Sequence, residues 1–182
     1  MTGAGRRLMR RDPLANAGPL VERVHAYVAY RIGAGADADD VTGETFARAV
    51  RYRDSYDASK GAPVDWLIGI ARRCIGDDLS RRRPEPDPPD TVASGDLEQD
   101  TVNRLVLWDA VARLSERDRE LIALRYGADL SARQIARQLD MATNAVDVAL
   151  HRALGRLRPL LEERPGVGSL GGEAARDEPA TG

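Results

Sequence analysis

The chain has 182 residues with 31% charged residues and a formal net charge of −2, a length that allows one medium domain or two small ones. One cysteine and two histidines exclude a disulfide scaffold and leave little material for a metal site, so we expect neither metal nor cofactor. No apolar run approaches the roughly 18 residues of a membrane helix, and the N-terminus lacks a signal-peptide pattern. We therefore expect a cytoplasmic protein without membrane insertion.

The small net charge conceals an uneven distribution of charged residues along the chain. Residues 84–100 contain six acids and no base, and residues 165–182 contain three acids and one arginine. The segments outside these two stretches are net positive, and Lys60 is the single lysine among 27 basic residues. Arginine offers paired N–H donors to phosphates and guanine edges, so the basic segments are compatible with a nucleic-acid partner.

Apolar residues at helical spacing predict three helices in the first half of the chain. After a disordered arm over residues 1–15, the first helix begins near Pro19. Asp37 is expected to cap the second, which runs to about Tyr52, and Pro63 suits the first turn of the third. The residues expected to face inward from the second and third helices are Val41, Thr45, Phe46, Ala49, Val50, Trp66, Leu67, Ile70, Cys74, Ile75 and Leu79.

Residues 84–100 are rich in proline and acids and have almost nothing to bury, which predicts a flexible linker. A fourth helix is expected from about Thr101. Ser115 can cap a fifth helix, with Leu121, Ile122, Leu124 and Tyr126 facing inward. Residues 165–182 lack periodicity and are predicted to form a disordered tail.

The stretch 130–161 has the pattern of a helix-turn-helix. Ser131 and Gln134 have the S-x-x-Q spacing of a capping box, a short break follows over residues 140–142, and Thr143 or Asn144 can cap a second helix. The inward stripe of that second helix is Val146, Leu150, Leu154, Leu157 and Leu161. Its opposite face is polar, as in helices that enter the DNA major groove, although an ordinary helical hairpin has the same apolar pattern.

The whole pattern predicts an all-α protein, because no segment has the alternation of a strand. We expect two small helical domains, residues 16–83 and 101–164, joined by the linker over 84–100. The helix-turn-helix lies in the second domain.

Three segments in this order resemble the extracytoplasmic-function (ECF) group of bacterial RNA polymerase sigma factors. Residues 36–50, ADADDVTGETFARAV, are similar to a helix of the family's second region, and residues 66–83, WLIGIARRCIGDDLSRRR, to the segment that follows it. Residues 114–126, LSERDRELIALRY, with residues 130–154, LSARQIARQLDMATNAVDVALHRAL, resemble the fourth region. The resemblance implies a protein without catalytic activity that binds core RNA polymerase and directs it to promoter DNA. It also implies an anti-sigma partner and a monomer when the chain is free.

The resemblance further implies three groups of functional residues. Those expected to contact the polymerase are Asp39, Asp40, Glu44 and Arg48. Those expected to bind the −10 element by stacking and by phosphate contacts are Arg51, Tyr52, Arg53, Tyr56, Arg72 and Arg73. Those expected to read the −35 element in the major groove are Asn144, Asp147, Val148, His151, Arg152 and Arg156. Asp77 is expected to pair with Arg73 or Arg81, each four residues away.

The chain departs from the family pattern on its recognition helix, where Ala145 replaces a usual threonine and Asp147 and Ala149 replace basic residues. In the second region, Gly43 and Arg73 replace a usual glutamine and asparagine. An acid on the recognition face repels phosphate, although it can accept a hydrogen bond from cytosine. Two alternatives therefore stay open: a degenerate sigma-like protein that reads promoters poorly, and a DNA-binding regulator independent of polymerase. An enzyme is disfavoured because GxxxxGK[ST], HExxH and GxSxG are absent from the sequence.

Overall fold

The computed structural model describes residues 12–81 and 99–163, which are mostly helical and contain no strand. The helices of the first half are α1 (Ala17–Ile32), α2 (Ala36–Arg51) and α3 (Pro63–Arg81). Those of the second half are α4 (Gln99–Ala112), α5 (Glu116–Ile122), α6 (Ala132–Leu139) and α7 (Thr143–Glu162). A 3₁₀ turn, Arg53–Ser55, follows α2, and a π-helical turn, Ala123–Gly127, continues α5. The predicted all-α fold is confirmed.

The first half buries the apolar stripes of its three helices against one another. Residues at steps of three and four on a helix share one face, and the fully buried residues of these stripes include Val24, Val28, Ala38, Leu67, Ile68 and Ala71. The predicted start of α3 at Pro63 is confirmed, since the proline ring fits a first turn that needs no N–H donor.

Three expectations for the first half are wrong in detail. Gly35, not Asp37, occupies the position before α2, and Asp37 lies in the first turn of the helix. The side chains of Val50 and Leu79 are 57% and 50% exposed. Each lies near the C-terminal end of its helix, where an apolar residue falls outside the face covered by neighbouring helices. Ala49, next to Val50, takes the inward position and is fully buried.

Two predicted N-caps in the second half are confirmed. The Ser115 hydroxyl accepts a hydrogen bond from the Asp118 N–H at 3.2 Å, which satisfies a donor at the start of α5. At α6, the Gln134 N–H donates to Ser131 Oγ at 3.4 Å, and the Ser131 N–H donates to Gln134 Oε1 at 3.0 Å. These two bonds form the reciprocal capping box that the S-x-x-Q spacing indicates.

The prediction that Tyr126 faces inward is wrong, because the side chain is 52% exposed. The π-helical turn causes the difference. A π turn is wider than an α turn and shifts the positions that face inward, so Ala123, Leu124 and Gly127 are the buried residues of this segment.

The start and the inward stripe of α7 also differ from expectation. Ala142 is the residue before the helix and offers no side-chain cap, while Thr143 and Asn144 are already its first residues. Leu154 is 38% exposed, whereas Ala153 is fully buried. A one-residue step rotates the side chain by about 100°, and Ala153 is the residue that faces the apolar cluster containing Val111 and Ile122.

The two halves share one hydrophobic core, which includes Val24, Tyr27 and Leu67 of the first half and Leu121 and Ile135 of the second. The π-helical turn packs directly against α1. The helix α4 begins at Gln99, inside the segment predicted as linker, and residues 84–98 of that segment lie outside the described residues. So do the predicted tail over 165–182 and most of the predicted arm over 1–15.

Candidate nucleic-acid interface and polymerase surface

The helix-turn-helix presents one polar face of α7 to solvent. Asp140 adopts a left-handed backbone with φ of 52° and ends α6, and α7 begins three residues later, at Thr143. Its stripe of Val146, Leu150 and Leu157 is buried, which holds the opposite face outward. The predicted −35 residues on the exposed face are Asn144, Asp147, Val148, His151, Arg152 and Arg156.

Arg156 differs from the other predicted −35 residues because it has a partner within the fold. Its Nη1 lies 3.1 Å from Asp118 Oδ1 and 3.0 Å from Oδ2. Asp118 is only 7% exposed, and a buried carboxylate requires a charged or hydrogen-bonding partner. Arg156 therefore ties α7 to α5.

The end of α2 and the 3₁₀ turn present the first part of the predicted −10 surface. Arg51, Tyr52 and Arg53 are all exposed, and the Tyr52 side chain is 53% accessible. An exposed aromatic ring between two arginines combines a stacking surface with charges for a nucleic-acid backbone.

Tyr56 is placed differently, because its side chain is buried at the base of a cleft. Its ring lies 5.6 Å from that of Trp66, tilted by 58°, and its hydroxyl donates to the Gly61 carbonyl at 3.0 Å. Burial, together with the charge of Asp65, raises the pKa of the Tyr56 hydroxyl. The cleft has a volume of about 260 Å³ and is also lined by Gln134, Arg137 and Gln138 of the second half.

The two arginines predicted to contact phosphate from α3 have different surroundings. Arg72 Nε lies 3.2 Å from Glu120 Oε1, and its Nη1 donates to the Gln138 carbonyl at 3.0 Å. Both partners belong to the second half. Arg73 is exposed.

The predicted polymerase-binding acids lie on the exposed side of α2. Asp39 and Asp40 occupy its first turns, and Asp39 Oδ1 lies 2.9 Å from His25 Nε2. Glu44 accepts a hydrogen bond from Arg48 Nε at 2.6 Å. The helix dipole stabilises negative charge at a helix N-terminus, which favours Asp39 in the first turn of α2.

Arg48 pairs within the fold, and the expected pairing of Asp77 is wrong. Arg48 Nη1 lies 2.7 Å from Asp77 Oδ2, and the hydrogen bonds to Asp77 and Glu44 raise the pKa of the guanidinium. Arg81 donates instead to the Asp77 backbone carbonyl at 3.2 Å. The packing of α2 on α3 brings Arg48 to Asp77, a long-range contact that spacing along α3 does not indicate.

Two buried acids that the sequence reasoning missed join the two halves. Asp65 is 8% and Glu120 7% exposed. Asp65 Oδ1 accepts a hydrogen bond from Gln134 Nε2 at 3.0 Å, and Glu120 Oε2 lies 2.6 Å from Arg31 Nε. A buried acid requires a partner. The apolar residues beside Asp65 and Glu120 in the sequence indicate that both acids are buried, so their need for a partner could have been predicted.

The described ranges, residues 12–81 and 99–163, contain no cluster of three or more metal-ligating side chains. Within those same ranges, no helix is both long and apolar enough to span a bilayer.

Comparison with known families places both halves of the chain. Residues 19–85 match the family model described as Sigma-70 region 2, and residues 104–157 match Sigma-70, region 4. The ECF RNA polymerase sigma factor SigL of Mycobacterium tuberculosis is 33% identical over 151 residues, which cover 76% of this chain and 85% of SigL. The chain belongs to the ECF sigma factors. As a sigma factor, it serves promoter-specific initiation of transcription.

Two further ECF sigma factors are similar over much of the chain. SigD of Mycobacterium tuberculosis is 33% identical over 175 residues, covering 85% of this chain and 78% of SigD. BldN of Streptomyces coelicolor is 30% identical over 151 residues, covering 78% of this chain. The chain spans 57% of the length of BldN.

Two solved structures have a similar fold. The sigma factor RpoE, in a complex with the anti-sigma factor NepR from Bartonella quintana, matches with a TM-score of 0.60 and 20% identity over 80% of this chain and 94% of that one. CnrH, in a complex with the cytosolic domain of CnrY, matches with a TM-score of 0.57 and 23% identity over 82% of this chain and 84% of that one. At these identities the likeness establishes the fold alone.

Proposed function

We propose that this ECF sigma factor reads the −35 element with the exposed face of α7, and that Arg152 carries most of the base readout. The supporting observation is the division of α7 into a buried apolar stripe and an exposed polar face. Arg152 is exposed on that face, and its guanidinium can donate to guanine O6 and N7, a contact worth about 1–3 kcal/mol of discrimination.

The −10 element binds along the end of α2 and the adjoining turn. Tyr52 supplies the exposed stacking surface for an extruded base, and Arg51, Arg53 and Arg73 follow the backbone of the separated strand. Arg72 and Tyr56 belong to the same surface, but Arg72 is paired with Glu120 and Tyr56 is buried. These two residues therefore act only after their surroundings rearrange.

Core polymerase binds the acidic side of α2 through Asp39, Asp40 and Glu44. All three carboxylates are exposed, and the ion pair of Arg48 with Glu44 and Asp77 fixes the helix that carries them. In this assignment Arg48 stabilises the conformation of α2 and contributes less than the three carboxylates to the contact with polymerase.

Asp147 favours a second version of this function, in which the chain reads promoters weakly. Its carboxylate is exposed on the recognition face, where it repels phosphate unless a cytosine amino group lies opposite. A sigma factor of this kind depends more on the polymerase and on the −10 contacts than on the −35 element.

Transcription in vitro with core polymerase from the same cells and a pool of promoters tests the proposal. The wild type is expected to yield promoter-specific transcripts, and Arg152→Ala to reduce them about 5- to 150-fold, which corresponds to about 1–3 kcal/mol. Arg158→Ala, an exposed arginine on another side of α7, is the matched control for loss of one charge and should reduce transcription much less.

Equal losses in the two variants would contradict base readout by Arg152 and indicate a general effect of charge. Holoenzyme formation without specific transcripts would support the weak-reading version. Absence of polymerase binding would contradict the polymerase surface on α2 and favour a regulator that acts on DNA alone.

The proposal also includes an anti-sigma partner, a cytoplasmic location and a monomeric free state. The solved structures of RpoE and CnrH named above are complexes with other proteins, the anti-sigma factor NepR and the cytosolic domain of CnrY. A cleft between the two halves, lined by Arg31, Arg72, Ile75, Leu79, Leu139 and Met141, offers such a partner both charged and apolar contacts.

A further inference from the structure

We propose that Asp147 is a specificity-determining residue of α7, whose carboxylate selects a cytosine in the major groove of the −35 element. This assignment rests on the proposed function, because it requires the exposed face of α7 to lie against that element. It adds a second base preference to the one assigned to Arg152.

The buried stripe of α7 fixes the direction in which Asp147 points. Successive residues of a helix are rotated by about 100°, and Val146 and Leu150 are buried. Val148 therefore lies opposite this stripe, and the exposed Asp147 lies on the flank beside it. Residues in the N-terminal part of a recognition helix contact base edges, and Asp147 is in the second turn of α7. Its carboxylate is thus placed to reach the bases.

The carboxylate of Asp147 has no partner within the described fold. Over residues 12–81 and 99–163, no ion pair or side-chain hydrogen bond engages it. It is the only acid among residues 143–161, whereas His151, Arg152 and Arg158 are exposed on the same helix. Helix packing therefore gives no reason for an acid at this position, and its charge is left for a contact outside the chain.

The second turn of α7 is unsuited to binding phosphate. The Val148 side chain is 51% exposed and has no polar group, and the charge of Asp147 repels the DNA backbone. A helix that bound DNA by charge alone would present basic side chains at both positions. Base edges suit this pair better, because an apolar side chain can contact the methyl group of thymine and a carboxylate can accept from a base.

Cytosine is the base whose major-groove edge suits a carboxylate. An ionised carboxylate only accepts hydrogen bonds, and the cytosine edge presents the N4 amino group as a donor. Guanine and thymine present acceptors, which repel it, and adenine places its N7 acceptor beside its single donor group. An asparagine, which both donates and accepts, would instead match adenine. Asp147 therefore selects cytosine, and its amide counterpart should select adenine.

Asp147 and Arg152 read different base pairs. They are five residues apart, which corresponds to about 7.5 Å along the helix, whereas successive base pairs are about 3.4 Å apart. The cytosine and the guanine that these two side chains select are therefore separate positions of the −35 element. The two preferences can be measured independently.

Selection from a DNA pool tests the role of Asp147. Holoenzyme formed from the full chain and core polymerase of the same cells is bound to a promoter that the wild type transcribes, with its −35 region randomised, and the bound DNA is sequenced. The wild type is expected to enrich cytosine at one position by about 5- to 150-fold over the other bases. Asp147→Asn should shift this position to adenine, and Asp147→Ala should leave it without preference. Other positions should keep their preferences in both variants.

Glu162→Asn is the matched control, because it removes the same charge from another exposed acid of α7. It should change no base preference, and all variants should keep the wild-type far-UV circular dichroism. If Arg152→Ala loses a guanine preference but neither Asp147 variant changes any position, the role of Asp147 is overturned and the proposed function stands. Equally tighter binding of Asp147→Ala to every sequence would also overturn it and would support the weak-reading version. If the wild type enriches no −35 sequence, the proposed −35 readout and the role of Asp147 both fail.

Discussion

Arg156 lies on the exposed face of α7 that is predicted to contact DNA, but its side chain also has a partner within the fold. Its guanidinium reaches both oxygens of Asp118, and the Asp118 N–H in turn bonds to the capping Ser115. One arginine thereby connects the recognition helix to the start of α5. Arg152, four residues earlier on the same helix, is exposed and is assigned to base readout. At the scale of single residues, the ion pair with Asp118 gives Arg156 a structural role, whereas the exposed Arg152 is assigned to recognition.

Arg156→Ala is expected to lower the free energy of unfolding by about 1 kcal/mol, because it leaves the buried Asp118 carboxylate without its charged partner. This loss is small for a charged hydrogen bond, because the Arg156 side chain is 58% exposed and solvent screens the pair. Urea denaturation followed by circular dichroism measures the change. Arg152→Ala is the control and should stay within about 0.5 kcal/mol of wild type. Unchanged stability with a large loss of DNA affinity would instead assign Arg156 to the DNA.

The two helices of the helix-turn-helix begin in different ways. A capping box closes the start of α6, whereas Ala142 precedes α7 with extended backbone and no side chain able to accept a hydrogen bond. The first N–H groups of α7 are therefore left to water or to a ligand. A helix start of this kind beside a recognition face suits a nearby phosphate.

Ala142→Ser is expected to raise the free energy of unfolding by about 1 kcal/mol, because a serine hydroxyl at this position can accept from the free N–H groups. The backbone of Ala142, with φ of −73° and ψ of 143°, already has the geometry of a capping residue. Thermal and urea unfolding measure the gain. Ala145→Ser, inside the first turn, is the control and should be neutral or slightly destabilising. A gain from Ala145→Ser equal to that from Ala142→Ser would contradict the capping explanation.

At the scale of the whole molecule, Tyr27 and Glu120 link the two halves through one buried hydrogen-bonded group. The Tyr27 side chain is fully buried, and its hydroxyl lies 3.0 Å and 3.1 Å from the two Glu120 oxygens. Burial raises the pKa of this hydroxyl, and the neighbouring Glu120 charge raises it further. The folded chain therefore retains the Tyr27 proton at a pH where an exposed tyrosine has released it.

Alkaline conditions should therefore weaken the fold through Tyr27. The raised pKa stabilises the folded state fully below about pH 10, and that contribution falls by about 1.4 kcal/mol for each pH unit above it. Tyr27→Phe should be less stable at neutral pH and should lose stability less steeply between about pH 10 and about pH 11. Urea denaturation across this range measures both effects.

Tyr52→Phe, at an exposed tyrosine near the end of α2, is the control for the alkaline experiment and should keep the steep wild-type dependence. Identical pH slopes for wild type and Tyr27→Phe would show that the Tyr27 proton is not retained in the folded state. The Tyr27–Glu120 contact would then stabilise the interface less than its geometry indicates.

Features that depend on neighbouring residues along the chain could be predicted from the sequence. Apolar residues at steps of three and four predicted the helices, and the caps at Ser115 and Ser131 followed from side chains that bond within their own first turn. The errors at Val50, Tyr126 and Leu154 concern which residue of a helix faces inward. That choice depends on the neighbouring element and, at Tyr126, on the π turn.

How the two halves meet, and which charges are paired, depends on the tertiary structure. Asp65 and Gln134, Glu120 and Arg72, and Arg48 and Asp77 are far apart in sequence, so their contacts arise from helix packing and have no local pattern. The same holds for Gly127, whose backbone conformation is ordinary but where an added Cβ atom would lie 2.8 Å from the backbone of Tyr27 on α1. Local spacing specifies helices, but the energetics of a buried charge or a backbone approach depends on what the fold places against it.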